Sequence, residues 1–375
     1  MKKWFRRIHL YLGLSAGLVI MVSCFTGAVL VFEEELQHAF HKERYDVKIE
    51  GKPLPVETLL ARLKQKEPKA VVTRVQVFAD PARSVVINYN GGKKNQAFIN
   101  PYTAEVIELY KYQDSFFYTI FAIHRWLLGG DIGKLIVGIS TLLFVFILTT
   151  GLILWWPKSS KILLQRLKIK SDAGGKRFTH DLHIVLGFYS AIFLFVFAFT
   201  GLAWSFEWFN KGIYKITNSP VKGPKPPQST FVAGEKIIDL DRVLDVAKQQ
   251  IPGVVFYTIN LPKDSIEAIT ISSLNTSAPH TSATDAFYLD QYSGKKIGQL
   301  SFNDRSTGAK VRATFKPVHT GSIWGLPSKI IALGVCLLGT SFPITGKLIW
   351  INRTRKKKSA SVSEGKINET IIHRA

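Results

Sequence analysis

Residues 9–33, HLYLGLSAGLVIMVSCFTGAVLVFE, and residues 183–207, HIVLGFYSAIFLFVFAFTGLAWSFE, are two versions of one pattern. Both begin with His-x-x-Leu-Gly, contain Phe-Thr-Gly and end on Phe-Glu, at a constant offset of 174 residues. Each is apolar over a length that crosses a bilayer, which takes about 20 residues. The pattern therefore predicts a duplicated transmembrane helix.

A second repeat has an offset of 195 residues. In its first copy His124 precedes the apolar stretch 132–156, and in its second copy His319 precedes the stretch 329–350. Both stretches contain Thr-Gly followed four residues later by Trp. The predicted fold is thus an α-helical membrane bundle of four transmembrane helices, built from a duplicated two-helix unit, with two small α+β modules outside the membrane.

The apolar stretches also predict the domain boundaries. The N-terminal apolar run is about 25 residues long, too long for the apolar region of a signal peptide, so we expect it to remain as the first span. The predicted segments are transmembrane helix 1 at 1–32, outer module 1 at 33–131, transmembrane helix 2 at 132–156, a cytoplasmic basic loop at 157–182, transmembrane helix 3 at 183–206, outer module 2 at 207–328, transmembrane helix 4 at 329–350 and a basic cytoplasmic tail at 351–375.

The charge distribution predicts the orientation. The chain carries 49 Lys and Arg against 27 Asp and Glu, for a net charge of +22. Residues 1–8, the loop 157–182 and the tail after 350 together hold 18 basic and 4 acidic residues. Because basic short segments stay on the cytoplasmic side, we expect a multi-pass protein of a bacterial cell inner membrane. Both termini would lie in the cytoplasm and both modules in the periplasm. The charge needs no nucleic-acid partner, since the lipid membrane accounts for it.

Each outer module is predicted to contain one helix followed by three strands and a turn. The first module has its helix at 56–66 and strands at 71–78, 85–89 and 97–99. The second has its helix at 240–251 and strands at 254–261, 268–272 and 286–289.

Several chemistries are excluded by the motifs. The two cysteines, Cys24 and Cys336, lie inside apolar stretches and no C-x-x-C-H occurs, which excludes a disulfide scaffold, a Cys-ligated zinc site, an iron–sulfur cluster and covalently attached haem. No G-x-G and no P-loop motif occurs, so an electron donor would be external to the chain.

Four histidines occupy the repeated positions. The topology sorts them into His9 with His183 at the cytoplasmic ends of the spans and His124 with His319 near the outer ends. A haem between symmetry-related helices takes one imidazole from each, so the pairs predict axial ligands of two b-type haems. The small residues near the inner pair would let the backbones approach or leave room for a flat macrocycle; they are Gly13, Gly17, Gly187 and Ser190.

Other readings of these residues stay open. The duplication could have copied an interfacial anchor residue, and His180 could replace His183 as the inner ligand. His38 and His41 follow an acidic run, but a helix continuing into solvent explains them better than a metal site. The repeated Thr-Gly pairs are interpreted as close-packing positions whose Thr hydroxyl bonds to its own helix; they are Thr26-Gly27, Thr150-Gly151, Thr200-Gly201 and Thr345-Gly346.

The chain resembles the PepSY-associated transmembrane proteins. The motifs that carry the resemblance are Arg6-x-x-His9-x-x-x-Gly13, Ile123-His124-Arg125-Trp126-Leu127 with Gly130-Asp131-x-Gly133, Thr150-Gly151-x-x-x-Trp155-Trp156-Pro157, and His319-Thr320-Gly321 with Trp324-Gly325-Leu326-Pro327. The resemblance implies an iron-regulated inner-membrane protein with PepSY-like modules, similar in some members to di-haem ferric-siderophore reductases. Carried over by position, the haem-iron ligands would be His9 with His183 and His124 with His319.

The leading hypothesis is an oxidoreductase of the ferric-siderophore reductase type, holding two haem b groups. It would pass electrons from quinol or a cytoplasmic flavin reductase to a ferric siderophore or other ferric chelate in the periplasm. The alternative is a haem-free, membrane-anchored PepSY binding module that regulates a periplasmic protease or transporter. The glycines at 129–130 and the Gly325-Leu326-Pro327 sequence are expected to separate each outer histidine from the span that follows it.

Overall fold

A computed structural model of the chain describes residues 2–90, 95–170, 174–232 and 234–372, with the backbone alone over 356–372. The chain divides into two compact units. We call Met1–Val31, Ile120–Glu207 and Pro327–Ala375 the helical unit, and Phe32–Thr119 with Trp208–Leu326 the sheet unit.

The described helices are as follows: α1 (Lys2–Leu30), α2 (Glu33–Phe40), α3 (Lys42–Tyr45), α4 (Val56–Lys66), α5 (Phe116–Trp126), α6 (Gly130–Trp155), α7 (Ser160–Arg166), α8 (Gly174–Asp181), α9 (Gly187–Ser205), α10 (Glu207–Ile216), α11 (Leu240–Gln250), α12 (Thr307–His319) and α13 (Leu326–Ile372). The described strands are β1 (Val72–Phe78), β2 (Val85–Tyr89), β3 (Asn95–Ile99), β4 (Val106–Lys111), β5 (Val254–Asn260), β6 (Ile269–Asn275), β7 (Asp285–Leu289) and β8 (Lys296–Leu300).

Within the described residues, four helical stretches are long and apolar enough to cross a membrane, and they confirm the four predicted spans. These stretches are Lys2–Leu30, Gly130–Trp155, Gly174–Ser205 and Leu326–Arg355. The protein is therefore a multi-pass membrane protein with four candidate spans. The third stretch begins nine residues before His183 and joins α8 to α9 through a π turn, Leu182–Leu186.

Small residues let the helices of the helical unit pack closely. Helix α6 packs against both α1 and α9. A Cβ atom at Gly339 of α13 would lie 2.8 Å from the Cys24 sulfur of α1, and one at Gly17 would lie 3.3 Å from the Pro343 side chain. The backbones therefore approach at glycines, as is common for membrane helices that associate through van der Waals contact.

The two modules form one antiparallel sheet of eight strands in the order β4-β3-β2-β1-β5-β6-β7-β8. Strands β1 and β5, one from each module, join at its centre from the pair Arg74–Asn260 to the pair Phe78–Phe256. Helices α4 and α11 cover one face of this sheet, over a core that includes Val75 and Ile259, both fully buried.

The helices of the two modules also cap each other. The Asp241 carboxylate of α11 accepts a hydrogen bond of 2.6 Å from the Val56 backbone N–H at the start of α4. The Glu57 carboxylate of α4 accepts one of 3.2 Å from the Leu240 backbone N–H at the start of α11. Acidic groups are favourable at helix N-termini because they satisfy unpaired N–H donors and complement the helix dipole. This reciprocal pair of caps ties one module to the other.

Each module has one strand more than predicted. Strands β4 and β8 follow the turn that ends the three predicted strands, and they form the two edges of the sheet. Edge strands pair on one side only and tolerate polar and charged residues, so their apolar pattern is weak. The remaining strands and both module helices match the prediction to within a few residues.

Candidate functional site

Two of the predicted ligands meet inside the helical unit. The His9 ring of α1 and the His183 ring of the π turn have centroids 6.4 Å apart, with their planes at 86°. Two imidazoles that bind one metal ion from opposite sides have centroids roughly 6 Å apart, because each metal–nitrogen bond is about 2 Å long. The spacing of His9 and His183 therefore fits a shared iron.

Hydrogen bonds determine which nitrogen of His9 is available to a metal. His9 Nδ1 lies 3.0 Å from the Ile147 carbonyl oxygen and 3.1 Å from Thr150 Oγ1, both on α6. A carbonyl oxygen can only accept, so Nδ1 carries the proton and donates. In the neutral imidazole this leaves a lone pair on Nε2, the tautomer that a metal ligand needs.

His183 is held in the same way by α13. Its Nδ1 lies 2.8 Å from Thr345 Oγ1. The Thr345 hydroxyl donates its own hydrogen to the Ser341 carbonyl at 3.1 Å, so its oxygen accepts from His183. Nε2 is again the free nitrogen. The π turn around His183 is a feature often found at functional sites, and it has no counterpart at His9, which lies within the continuous α-helix α1.

His124, near the end of α5, repeats the arrangement. Its Nδ1 lies 2.9 Å from the Ser23 carbonyl oxygen and 3.2 Å from Thr26 Oγ1 of α1. The next residue, Arg125, donates to the Trp204 carbonyl at 2.6 Å. These bonds hold α5 against the first and third spans and place the proton of the neutral His124 ring on Nδ1.

The Gly129-Gly130 and Gly325-Leu326-Pro327 sequences separate two helices each, as predicted. Helix α5 ends at Trp126 and α6 begins at Gly130, while α12 ends at His319 and α13 begins at Leu326. His319 is half-buried at the end of α12 and belongs to the sheet unit, whereas His124 belongs to the helical unit. The pairing of His124 with His319 stays a prediction.

The Thr-Gly pairs do more than the sequence interpretation assigned to them. The Thr hydroxyls bond to their own helices as expected, and Thr26, Thr150 and Thr345 also bond to a histidine Nδ1. A Cβ atom would lie 3.2 Å from His9 Cε1 at Gly151, and 3.4 Å from a histidine Cε1 at Gly346 and at Gly27. The glycine lets the ring approach and the threonine binds its Nδ1. The offsets in the sequence mark the histidines and the Thr-Gly pairs as repeated positions, but they do not show which pair contacts which histidine.

Glycines also leave space one turn after each inner histidine. Apart from the glycine itself, its two chain neighbours and the backbone of its own helix, no heavy atom of the described residues lies within 4 Å of the position that a Cβ would take at Gly13, or at its repeat equivalent Gly187. Residues four apart lie on the same helix face, so these openings flank His9 and His183. A planar macrocycle needs such side-chain-free surface beside its ligands.

The other histidines have different surroundings. His180 is 45% exposed and lies 3.4 Å from the Asp181 carboxylate. His38 pairs with Asp46 at 2.9 Å and His41 lies 3.7 Å from Glu43. Among the residues that the structure describes, no three His, Cys, Asp or Glu side chains form a metal-binding group. The acidic run therefore gives no metal cluster in the described part of the chain.

The repeated histidines, the four spans and the joined modules correspond to a known family. The sequence matches the PepSY-associated TM region family over residues 6–353. The chain belongs to this family. The PepSY-associated match covers all four repeated histidines and both modules.

A curated relative extends this comparison. An uncharacterised protein of Pseudomonas aeruginosa is 22% identical over 265 residues, which cover 64% of this chain and 64% of the relative. The chain thus spans less than two thirds of that relative's length. The similarity carries no activity over to this chain.

Proposed function

We propose that this PepSY-associated protein holds two haem b groups and transfers electrons across a bacterial inner membrane to a ferric chelate, releasing its iron. The observation that carries the proposal is the 6.4 Å spacing of the His9 and His183 rings, with Nδ1 of each ring bonded to a protein oxygen. His9 and His183 would hold one haem, and His124 with His319 the other. A bound haem would supply one-electron chemistry at a potential tuned by its ligands and their hydrogen bonds.

The residues of the chain contribute orientation and basicity. Thr150 and Thr345 accept from the Nδ1 hydrogens of His9 and His183, which directs each Nε2 away from the helix that carries the threonine. Gly151 and Gly346 allow this close approach. Because such hydrogen bonds raise the electron donation of an imidazole ligand, they favour oxidised iron and a lower potential.

Haem quantitation on the purified protein tests the cofactor. After expression with sufficient haem, the wild type should show a Soret band and about two haems per chain. His183→Ala and His319→Ala should each lose about half of that haem, because each leaves one haem with a single protein ligand. His180→Ala is the matched control and should retain both haems. A colourless wild type would refute the proposal and favour the haem-free module that regulates a protease or transporter.

Oxidation of the reduced protein tests the reaction. Wild type reduced with dithionite should be rapidly reoxidised by a ferric siderophore in stopped-flow absorbance measurements, whereas His319→Ala should be reoxidised slowly. Equal rates in a variant that keeps its inner haem would show that the outer histidines are not the exit for electrons.

A further inference from the structure

A polar row crosses the face of the sheet opposite α4 and α11. Asn88 of β2 pairs with Arg74 of β1, which pairs in turn with Asn260 of β5. Directly paired residues lie on one face with Cβ atoms about 5 Å apart. The neighbouring positions Val75 and Ile259 point into the helix-covered core, so the polar row faces the other side.

Arg74 is a half-buried cation without a carboxylate partner among the described residues. Its Nε donates to Asn260 Oδ1 at 2.9 Å, and its terminal nitrogens form no hydrogen bond within the described part of the protein. Burial lowers the pKa of the Arg74 guanidinium, and no carboxylate within the described ranges opposes that shift. Arg44 of α3 shows the usual arrangement, since both its Nε and a terminal nitrogen bond to Glu108 at 2.8 Å.

Asn88 provides a second unpaired donor beside Arg74. The side chain is only 3% exposed, and its buried Nδ2 has no hydrogen-bond partner among the residues that the structure describes. A buried amide without a partner costs on the order of 1–3 kcal/mol, so a ligand oxygen that accepts from Nδ2 would recover that free energy. A guanidinium fork and an amide N–H side by side match the two oxygens of a carboxylate.

Asn260 orients the guanidinium. Its Oδ1 accepts from Arg74, and its Nδ2 donates to the Thr270 carbonyl at 3.0 Å on the next strand. The amide is therefore held from both sides, which leaves the terminal nitrogens of Arg74 as the free edge of the row.

We propose that Arg74 and Asn88, positioned by Asn260, form an oxyanion-binding site that takes a carboxylate of a soluble polycarboxylate ligand. We call it the Arg74 site. Its role rests on the proposed function, because the ligand would be the carboxylate-bearing ferric chelate that the protein reduces. Anion binding itself needs neither haem nor electron transfer.

Calorimetric titration with iron-free citrate tests the site on the full chain in nanodiscs of zwitterionic lipid at low ionic strength. We expect wild type to bind citrate. Arg74→Gln should bind it at least about tenfold more weakly, because the variant loses a hydrogen bond from a charged group. Arg242→Gln is the matched control, since Arg242 is exposed on α11, and it should bind as wild type does. Wild-type affinity in Arg74→Gln, or no citrate binding by folded wild type, would overturn the proposal.

Asn88→Asp separates the site from a purely structural role. It places a carboxylate opposite Arg74 and pairs the guanidinium internally, so citrate binding should fall at least about tenfold while thermal stability without citrate stays at or above that of wild type. Retained citrate binding would contradict the assignment.

Two further arms distinguish the sources of failure. Nanodiscs with anionic lipid test for a lipid headgroup as the ligand. If the Arg74-dependent interaction occurs only with that lipid, the proposal of a soluble polycarboxylate ligand is refuted. A chain without haem that still binds citrate through Arg74 would refute the proposed function and leave the site intact. If the chain contains haem and reduces ferric chelates but binds no citrate, the Arg74 site is refuted and the proposed function stands.

Discussion

At the scale of single residues, Thr345 accepts a hydrogen bond from His183 Nδ1. This bond fixes the proton of the neutral ring on Nδ1 and increases the electron donation of Nε2, the proposed inner ligand atom. We expect Thr345→Val, which keeps the side-chain volume but removes the acceptor, to retain the proposed inner haem and to raise its reduction potential by up to about 60 mV. A lost hydrogen bond is worth about 0.5–1.5 kcal/mol, and a one-electron couple shifts about 59 mV per tenfold change. A potentiometric titration followed by visible absorbance measures the shift.

Thr149→Val is the control for this measurement. Thr149 is exposed on α6, and its hydroxyl donates to the Val145 carbonyl at 2.9 Å without contacting a histidine. Its potentials should equal those of wild type. Identical potentials in Thr345→Val would mean that the hydrogen bond at 2.8 Å does not tune an iron ligand.

The repeat in the sequence does not show which threonine contacts which histidine. The offsets of 174 and 195 residues identify the histidines and the Thr-Gly pairs separately, as equivalent positions in two halves. They do not say that Thr150 of one span serves His9 of another, 141 residues away. That partnership depends on which helices pack together, and the sequence was accordingly read as helix packing alone.

At the scale of elements, the turn between α5 and α6 depends on Gly133. A Cβ atom there would overlap the Trp126 carbonyl at the end of α5. We expect Gly133→Ala to destabilise the protein by about 2 kcal/mol or more, because backbone must move to relieve the overlap. The movement would displace His124 and lower the occupancy of the proposed outer haem before that of the proposed inner haem. Thermal unfolding and haem quantitation measure both effects.

Gly129→Ala is the matched control at the same turn. Gly129 has φ of −98°, which alanine adopts readily, and a Cβ there would be 3.4 Å from its nearest neighbours. Its stability and haem content should remain close to those of wild type. Equal loss in the two variants would mean that the turn is sensitive to any side chain and that Gly133 has no special role.

At the scale of the whole molecule, the basic segments predict the orientation. Reporters fused after Ala375 or inserted at Gly175 should read cytoplasmic, and one inserted near Gly223 should read periplasmic. The reason is the excess of basic residues in the first eight residues, the 157–182 loop and the tail. Enzymatic reporters active on only one side of the membrane provide the measurement, and the reverse pattern would overturn the charge argument.

Much of this protein follows from the sequence by itself. The four spans, the duplication and most elements of the two modules were predicted because apolar runs, strand alternation and turn residues are local signals, and a repeat appears when a chain is compared with itself. The family motifs are local in the same sense. The edge strands β4 and β8 were not predicted, since a strand that pairs on one side only needs little apolar pattern.

Only the tertiary structure decided how the parts meet. It joins β1 to β5 in one sheet, caps α4 with Asp241 and α11 with Glu57, and brings His9 to 6.4 Å from His183. It also places the π turn at His183 and leaves Arg74 without a carboxylate among the described residues. These features arise from contacts between residues far apart in the chain, whose free energy depends on packing, burial and hydrogen-bond geometry that no local pattern encodes.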